Sequence, residues 1–254
     1  MNISGNTVFI PGFTSGIGLS LALALRARGN TVIVGGRRAD LLDRIAAEHP
    51  GLDTVQIDTA DAASIDSAAK EVLARHPDLN VLVTMAGIMR IEDWHEPGSF
   101  LASAESVITT NLLGPIRLIA AFIGHLRAQP DATVVTVSSG LAFTPLAATP
   151  SYNASKAAIH MLSESVRLQY AGTSVKIVEL EPPSVRTALL PGQEDSEVAM
   201  PLEEFTAEVM ALLESQPDAK EIQVESVKFL RYGEARGDYD HVVATLSRSD
   251  PHGK

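Results

Sequence analysis

Tyr152 and Lys156 stand four residues apart in Tyr152-Asn153-Ala154-Ser155-Lys156, ahead of the helix-forming run Ala157, Ala158, Ile159, Met161 and Leu162. On a helix that spacing puts both side chains on one face. A free phenol titrates near pH ~10, too high to exchange protons at neutral pH. A nearby ammonium favours the phenolate and brings that value down. The pair is therefore a candidate general acid/base. The same spacing is common on exposed helices, where the two residues would be ordinary surface groups. The rest of the chain has to decide.

Three more polar residues stand where chemistry could use them. Ser138 and Ser139 follow the apolar run Thr133–Val137, and a proline-containing loop, Gly140 to Ser151, returns the chain to Tyr152. Asn111 lies inside a helical pattern from Ser103 to Leu126, just before Gly114-Pro115, which should disturb the hydrogen-bond ladder. An Asn there can hold a water, or it can bond neighbouring backbone.

These residues need a scaffold, and the first third of the chain supplies its pattern. Thr7–Ile10 reads as a strand, and Ile17 to Ala27 as a helix. Between them runs Gly12-Phe13-Thr14-Ser15-Gly16-Ile17-Gly18. Glycine allows the sharp turn and a close approach of pyrophosphate to the main chain. The helix N-terminus offers free N–H groups and partial positive charge, and Thr14 and Ser15 add hydroxyl donors. The spacing is Gly-x3-Gly-x-Gly, so an ordinary strand-to-helix turn is the alternative. A second strand, Thr31 to Val34, leads into Gly35-Gly36-Arg37-Arg38, with no carboxylate before Asp40. In a dinucleotide site an acidic residue near this point favours NAD, whereas an arginine accommodates the 2′-phosphate of NADP. Gly36 and Arg37 therefore predict NADP(H) over NAD(H), although Ser15 provides no second basic contact.

A third strand, Asp53 to Ile57, ends at Asp58-Thr59, where a carboxylate could accept from an adenine amino group or serve the next helix, Ala62 to Arg75. Val81 to Met85 is a fourth strand, apolar enough for burial on both faces, and runs into Ala86-Gly87. Val175 to Leu180 is a sixth strand after Thr133–Val137, and Glu221 to Glu225 a seventh. Strands alternating with helices predict right-handed crossovers and a parallel sheet whose ligands lie beyond the strands' C-terminal ends. The glycine turn, Arg37, Asp58, Gly87 and Ser139 all fall at such ends.

Composition bounds the rest. The 254 residues carry a formal charge of −11, which argues against nucleic acid or an anionic membrane surface as partner. Cysteine is absent, which removes disulfides and Cys-based metal sites, and no metal site is expected. The first basic residue is Arg26, unlike a secretory signal. Arg117 interrupts the best apolar run, Leu112 to Leu126, so no membrane span is expected and the reading is a soluble cytoplasmic protein.

Gly12, Gly16, Gly18, Asp58, Ala86-Gly87, Asn111, Ser139 and Tyr152 with Lys156 agree in order, spacing and sheet position with one family. Over residues 5 to 230 the chain resembles the classical short-chain dehydrogenases and reductases. The resemblance implies a single-domain, Rossmann-like three-layer α/β sandwich with a mostly parallel seven-stranded sheet. It implies Tyr152 as general acid in carbonyl reduction, Ser139 as the group polarising the substrate oxygen, and Lys156 as the residue that lowers the Tyr152 pKa and bonds the nicotinamide ribose. Asn111 would support a water serving Lys156. Thr59, Ala86, Gly87, Pro182, Val185 and Thr187 would join the glycine turn in holding the cofactor. The expected reaction is hydride transfer between NADP(H) and a secondary alcohol or ketone, by a homodimer or homotetramer. A non-catalytic dinucleotide sensor and a cofactor-retaining isomerase are the alternatives on the same scaffold.

Three departures from the family pattern stand out. Pro11 replaces a usual Thr, Thr84-Met85 replaces two Asn, and Glu181-Pro182-Pro183-Ser184-Val185-Arg186-Thr187 replaces a Pro-Gly sequence. Pro183 cannot take positive φ, so this loop must follow another path. The double proline resembles a branch named for an operon of D-alanyl-lipoteichoic acid synthesis. Residues 188–201 are expected to form a lid over the substrate. Ile88, Met89, Trp94, Leu141, Phe143 and Leu189 are expected to wall an apolar pocket, and residues 247–254 to fray.

Overall fold

In the computed structural model, which describes residues 1–249 other than Phe13 and Pro97, the apolar runs become seven parallel strands. They are β1 (Thr7–Ile10), β2 (Thr31–Gly36), β3 (Asp53–Gln56), β4 (Val81–Thr84), β5 (Ala132–Val137), β6 (Val175–Leu180) and β7 (Glu221–Ile222). Their order is β3-β2-β1-β4-β5-β6-β7, and every neighbouring pair is parallel. The order reverses between β1 and β4, which opens a crevice at their C-terminal ends.

Helices cover both faces because alternate strand residues point to opposite sides. Val8 and Ile10 belong to one core cluster, with Leu21 and Leu25 of α1 (Gly16–Ala27) and Phe205 and Val209 of α7 (Leu202–Ser215). Phe9 faces the other side, with Ile65 and Val72 of α3 (Ala62–Arg75) and Phe122 of α5 (Gly114–Leu126). The Phe9 and Phe122 rings are 5.4 Å apart. α2 (Ala39–Glu48) flanks β2 and β3 with Leu42 and Ile45 inward.

The expected helix from Ser103 to Leu126 begins as α4 (Leu101–Ile108) and is broken by a π turn over Thr109–Leu113. Pro115 has no N–H to give, and the Gly114 N–H reaches five residues back to the Thr109 carbonyl. By length and composition the run Leu101–Leu126 is apolar enough to cross a membrane, with a hydropathy of 1.6, contrary to the sequence expectation. An uninterrupted apolar run was too strict a criterion, because average hydropathy tolerates one Arg. In this fold Leu118, Phe122 and Leu126 of that run are buried in the core and Arg117 donates to the Ala60 carbonyl at 2.9 Å.

Several element boundaries differ from the sequence expectation, two of them near the site or the sheet edge. α6 (Pro150–Gln169) starts before Tyr152, with Pro150 at its first position, where a missing N–H costs nothing. β7 holds only two residues, because Glu225–Val227 turns into a short 3-10 helix. The C-terminal stretch, whose polar sequence gave no clear period, folds as α8 (Lys228–Arg231), α9 (Gly233–Arg236) and α10 (Tyr239–Ser249). Val227 and Val242 anchor it in the interior. Of the tail expected to fray, residues 247–249 end α10 and 250–254 lie outside the described residues.

Candidate active site

Gly12 sits at φ +87°, and a Cβ there would meet the Ala86 Cβ at 2.3 Å. The turn after β1 is therefore pressed against the end of β4, and both its conformation and its contact require glycine. Gly16, at φ +58°, lets the start of α1 pack against the Thr187 methyl, 3.3 Å from where its Cβ would be. Among the described residues no non-glycine has positive φ, so the Pro182-Pro183 loop takes a path of ordinary dihedrals and still delivers Thr187 to Gly16. Ser15, the N-cap of α1, makes no side-chain cap bond, leaving the first N–H groups of that helix without that partner. Gly18 is buried one residue beyond Ile17.

On the β2–β3 side, the space beside Gly36 is taken by the Thr14 methyl, 2.5 Å from a built Cβ. Arg37 is exposed just past β2, and its carbonyl accepts from Gln56 at 3.0 Å. Asp58 accepts from the Ala60 N–H at 3.0 Å, so its carboxylate shapes its own turn, while Thr59 is buried. Asp61, the more natural cap by its position, caps α3 and accepts from the Ala63 N–H.

The catalytic candidates meet beyond β4, β5 and β6. A cavity of about 60 Å³ is lined by Ile17, Gly87, Ser139, Tyr152, Lys156, Pro182, Val185 and Thr187, among others. Ser139 ends the extended segment after β5, at φ −174°, and accepts from the Leu141 N–H. Lys156 lies one helical turn past Tyr152, its Nζ 5.6 Å from the ring centre and 2.8 Å from the Val137 carbonyl. Gly87 faces the same point, 3.8 Å from Lys156 Nζ measured from a built Cβ.

Both groups are almost fully enclosed, and burial governs their titration. It pushes the Tyr152 phenol up to about 12, against an opposing pull from the Ser139 hydroxyl. It draws the Lys156 ammonium down to about 8, with Glu179 acting the other way. The sequence argument had the ammonium lowering the phenol, whereas here desolvation is the largest cause for each group.

Asn111 lies in the π turn, a helix irregularity often found at functional sites. It is buried, its Oδ1 accepts from the Ile88 N–H at 2.8 Å, and its Nδ2 donates to the Ile88 carbonyl at 2.9 Å and to Ser155 at 3.1 Å. The bond to neighbouring backbone, one of the two readings open at the sequence level, is made here. Asn111 ties the end of β4 to α6.

A larger cavity, about 280 Å³, shares Ser139 and Tyr152 with the first. Met89, Leu141 and Leu189 line it as expected, joined by Leu146, Leu230 and Leu246. Segment 188–201 borders it through Leu190, Pro191 and Val198. Ile88, Trp94 and Phe143 do not line it. Trp94 is half-exposed and stacks on Phe100, and Phe143 is held between Arg231 and His160.

Ser138 and two residues the sequence reading passed over also belong here. The buried Ser138 hydroxyl lines the smaller cavity and has no hydrogen-bond partner among the described residues. Gln193 lines both cavities. Glu92, nearly buried, accepts from the Ser151 N–H, Trp94 Nε1 and Ser103. Burial pushes its carboxyl up, but these bonds win and hold it below its usual value. No local pattern announces Glu92, because its partners lie on α4 and α6.

The sequence profile of the short chain dehydrogenase family matches residues 6–197. The uncharacterized oxidoreductase DltE of Bacillus subtilis (strain 168) is 37% identical over 255 residues, covering 98% of this chain and all of its own. That relative agrees with the branch indicated by the double proline. Among solved structures, a short-chain dehydrogenase from Streptomyces avermitilis superposes with a TM-score of 0.82 at 24% identity, covering 98% of this chain and 99% of its own. A short chain dehydrogenase from Burkholderia cenocepacia J2315, in complex with NADP, gives 0.81 at 25% identity over 97% of this chain and 99% of its own.

Proposed function

The chain belongs to the short-chain dehydrogenase family, and from that premise we propose that it transfers a hydride between NADP(H) and a secondary alcohol or its ketone. The observation that carries this reading is the meeting of Ser139, Tyr152 and Lys156 in one cavity that opens into a larger, mostly apolar one. In this reading the nicotinamide supplies the hydride. Ser139 and Tyr152 hold the substrate oxygen, and the Tyr152 hydroxyl gives it a proton during reduction. Lys156 supplies the positive charge that makes a phenolate tolerable after the proton leaves. Tyr152 and Lys156 then titrate as a coupled pair.

The residues that would hold the dinucleotide suit it. The turn from Gly12 to Gly16 and the start of α1 would take the pyrophosphate. Arg37, whose guanidinium makes no hydrogen bond or ion pair among the described residues, would meet the 2′-phosphate. The NADP complex of the Burkholderia cenocepacia relative supports that choice. Segment 188–201 serves as a lid along the larger cavity.

Nicotinamide fluorescence during parallel titration with NADPH and NADH tests the proposal. NADPH should bind the more tightly. Arg37→Ala should weaken NADPH about tenfold to a hundredfold, the equivalent of a charge-assisted contact, and leave NADH unchanged. Stronger binding of NADH would refute the role of Arg37. Binding of neither would shift the reading to a non-catalytic protein.

A further inference from the structure

Behind the cavity lies a buried charge cluster that the proposed chemistry does not use. Glu179 and Glu181 are two apart in and after β6 and so face the same side, and Glu221 is the register partner of Glu179 on β7. Side chains of Glu179 and Glu181 are fully buried. Above them sit His160 of α6 and Arg231 of α8. One ligating atom from His160 and one from each of the three carboxylates lie within 4.8 Å of one another, a donor set that could suit a cation. Arg231 already places one there, 3.4 Å from Glu181 and 3.6 Å from Glu221. Burial, aided by Glu179 and Glu221, pushes the Glu181 carboxyl up to about 8, so at neutral pH it is mostly protonated.

That leaves Glu179. Its hydrogen bonds come from His160 Nδ1, at 3.1 and 3.0 Å to its two oxygens, and no other ion pair reaches it among the described residues. The complementary case is Lys156, a buried ammonium whose Nζ bonds only a carbonyl, Val137 O on β5. It has no carboxylate within ion-pair distance among the described residues. Shared elements link the two, α6 on one side and the β5–β6 pair on the other. Lys156 and His160 are four residues, about one turn, apart on α6, roughly 6 Å of rise. The Glu179 Cα pairs with Thr136, one residue before Val137.

We propose that Glu179 is the counter-charge of Lys156, a positioning residue behind the site that keeps the Lys156 side chain an ammonium. Burial alone would drive Lys156 toward the neutral amine. The Glu179 charge opposes that loss across the turn. His160 faces Glu179 from α6, with Lys156 on the same helix and Glu164 acting on His160. From β7 comes Glu221, from the segment after β6 Glu181, and from α8 Arg231, which lies within ion-pair distance of both and opposes the rise of His160. His160 is itself raised by its bond to Glu179 and is neutral once pH exceeds that raised value. Above it, Glu179 acts on Lys156 undiminished. The proposal rests on the reading of Tyr152 and Lys156 as the working pair only for its effect on turnover.

Glu179→Gln keeps the shape and the contact with His160 and removes the charge. Lys156 should then lose its proton about one pH unit lower. With [¹⁵N]lysine-labelled protein, the Lys156 Nζ resonance, assigned with Lys156→Met, should show that shift directly. In NADPH-dependent ketone reduction the alkaline limb of the pH–rate profile should move acidward by a similar amount, whereas a merely structural role would lower the amplitude and leave the limb in place. Glu179→Asp, which keeps the charge but retracts it, should move both readouts less in the same direction, and it carries the test if the Gln variant does not fold. An unmoved Nζ titration in the folded variant overturns the proposal. Absence of turnover in the wild type would instead overturn the reading of function, and the resonance would still decide this one.

Discussion

Tyr152 and Lys156 show why pairing by spacing is only half of an acid/base device. One helical turn brings them together, yet burial pushes their titrations apart, the phenol to about 12 and the amine to about 8. A proton donor that must end as an anion then depends on a cation held beside it. Tyr152→Phe removes the proton and little else, since the ring stays in its buried place. We expect NADPH affinity within about threefold of wild type and ketone reduction down at least a hundredfold, in line with the usual ~10²–10⁴ contribution of a general acid. Steady-state kinetics beside a binding titration checks this, and near-normal turnover would sink the role given to Tyr152.

Elements set the accuracy of the site. The N-terminus of α6 carries Tyr152, and Glu92 holds that terminus by accepting from the Ser151 N–H while also gripping Ser103 of α4 and Trp94. A carboxylate at a helix N-terminus also meets the favourable end of its dipole. Glu92→Ala should cost about 2–3 kcal/mol, because it leaves nearly buried donors without their acceptor. Denaturant unfolding measures the loss, and a change below about 0.5 kcal/mol would show that the clamp is dispensable. Asn111 does similar work at the π turn, where its amide joins Ile88 at the end of β4 to Ser155 of α6.

For the molecule as a whole, the outer surface of the same helices raises the question of assembly. Leu101 and Ile116, on α4 and α5, and Met161 and Leu168, on α6, are exposed at 56%, 38%, 59% and 79%. Apolar groups left outside in this number suit burial against a second copy. That fits the homo-oligomer implied by the family resemblance, with α4, α5 and α6 at the interface. Sedimentation velocity at micromolar concentration should give a dimer or tetramer, and Ile116→Glu with Met161→Glu should release monomers. A clean monomer of the wild type would refute the interface.

The sequence by itself determined the sheet, the glycine turn and the Tyr152–Lys156 spacing. Each is local, written in strand runs, turn residues and a helical repeat that hold whatever surrounds them. Its boundaries slipped where tertiary context intervened, at the π turn before Pro115 and at the two-residue β7. Phe143 was misplaced as a pocket wall because only the fold could show Arg231 packed on its ring. Glu92 and Glu179 were illegible for the same reason, as a carboxylate's meaning depends on what encloses it. Burial and long-range partners decide whether it is a solvated charge, a clamp or a counter-ion, and those come from elements far apart in the chain.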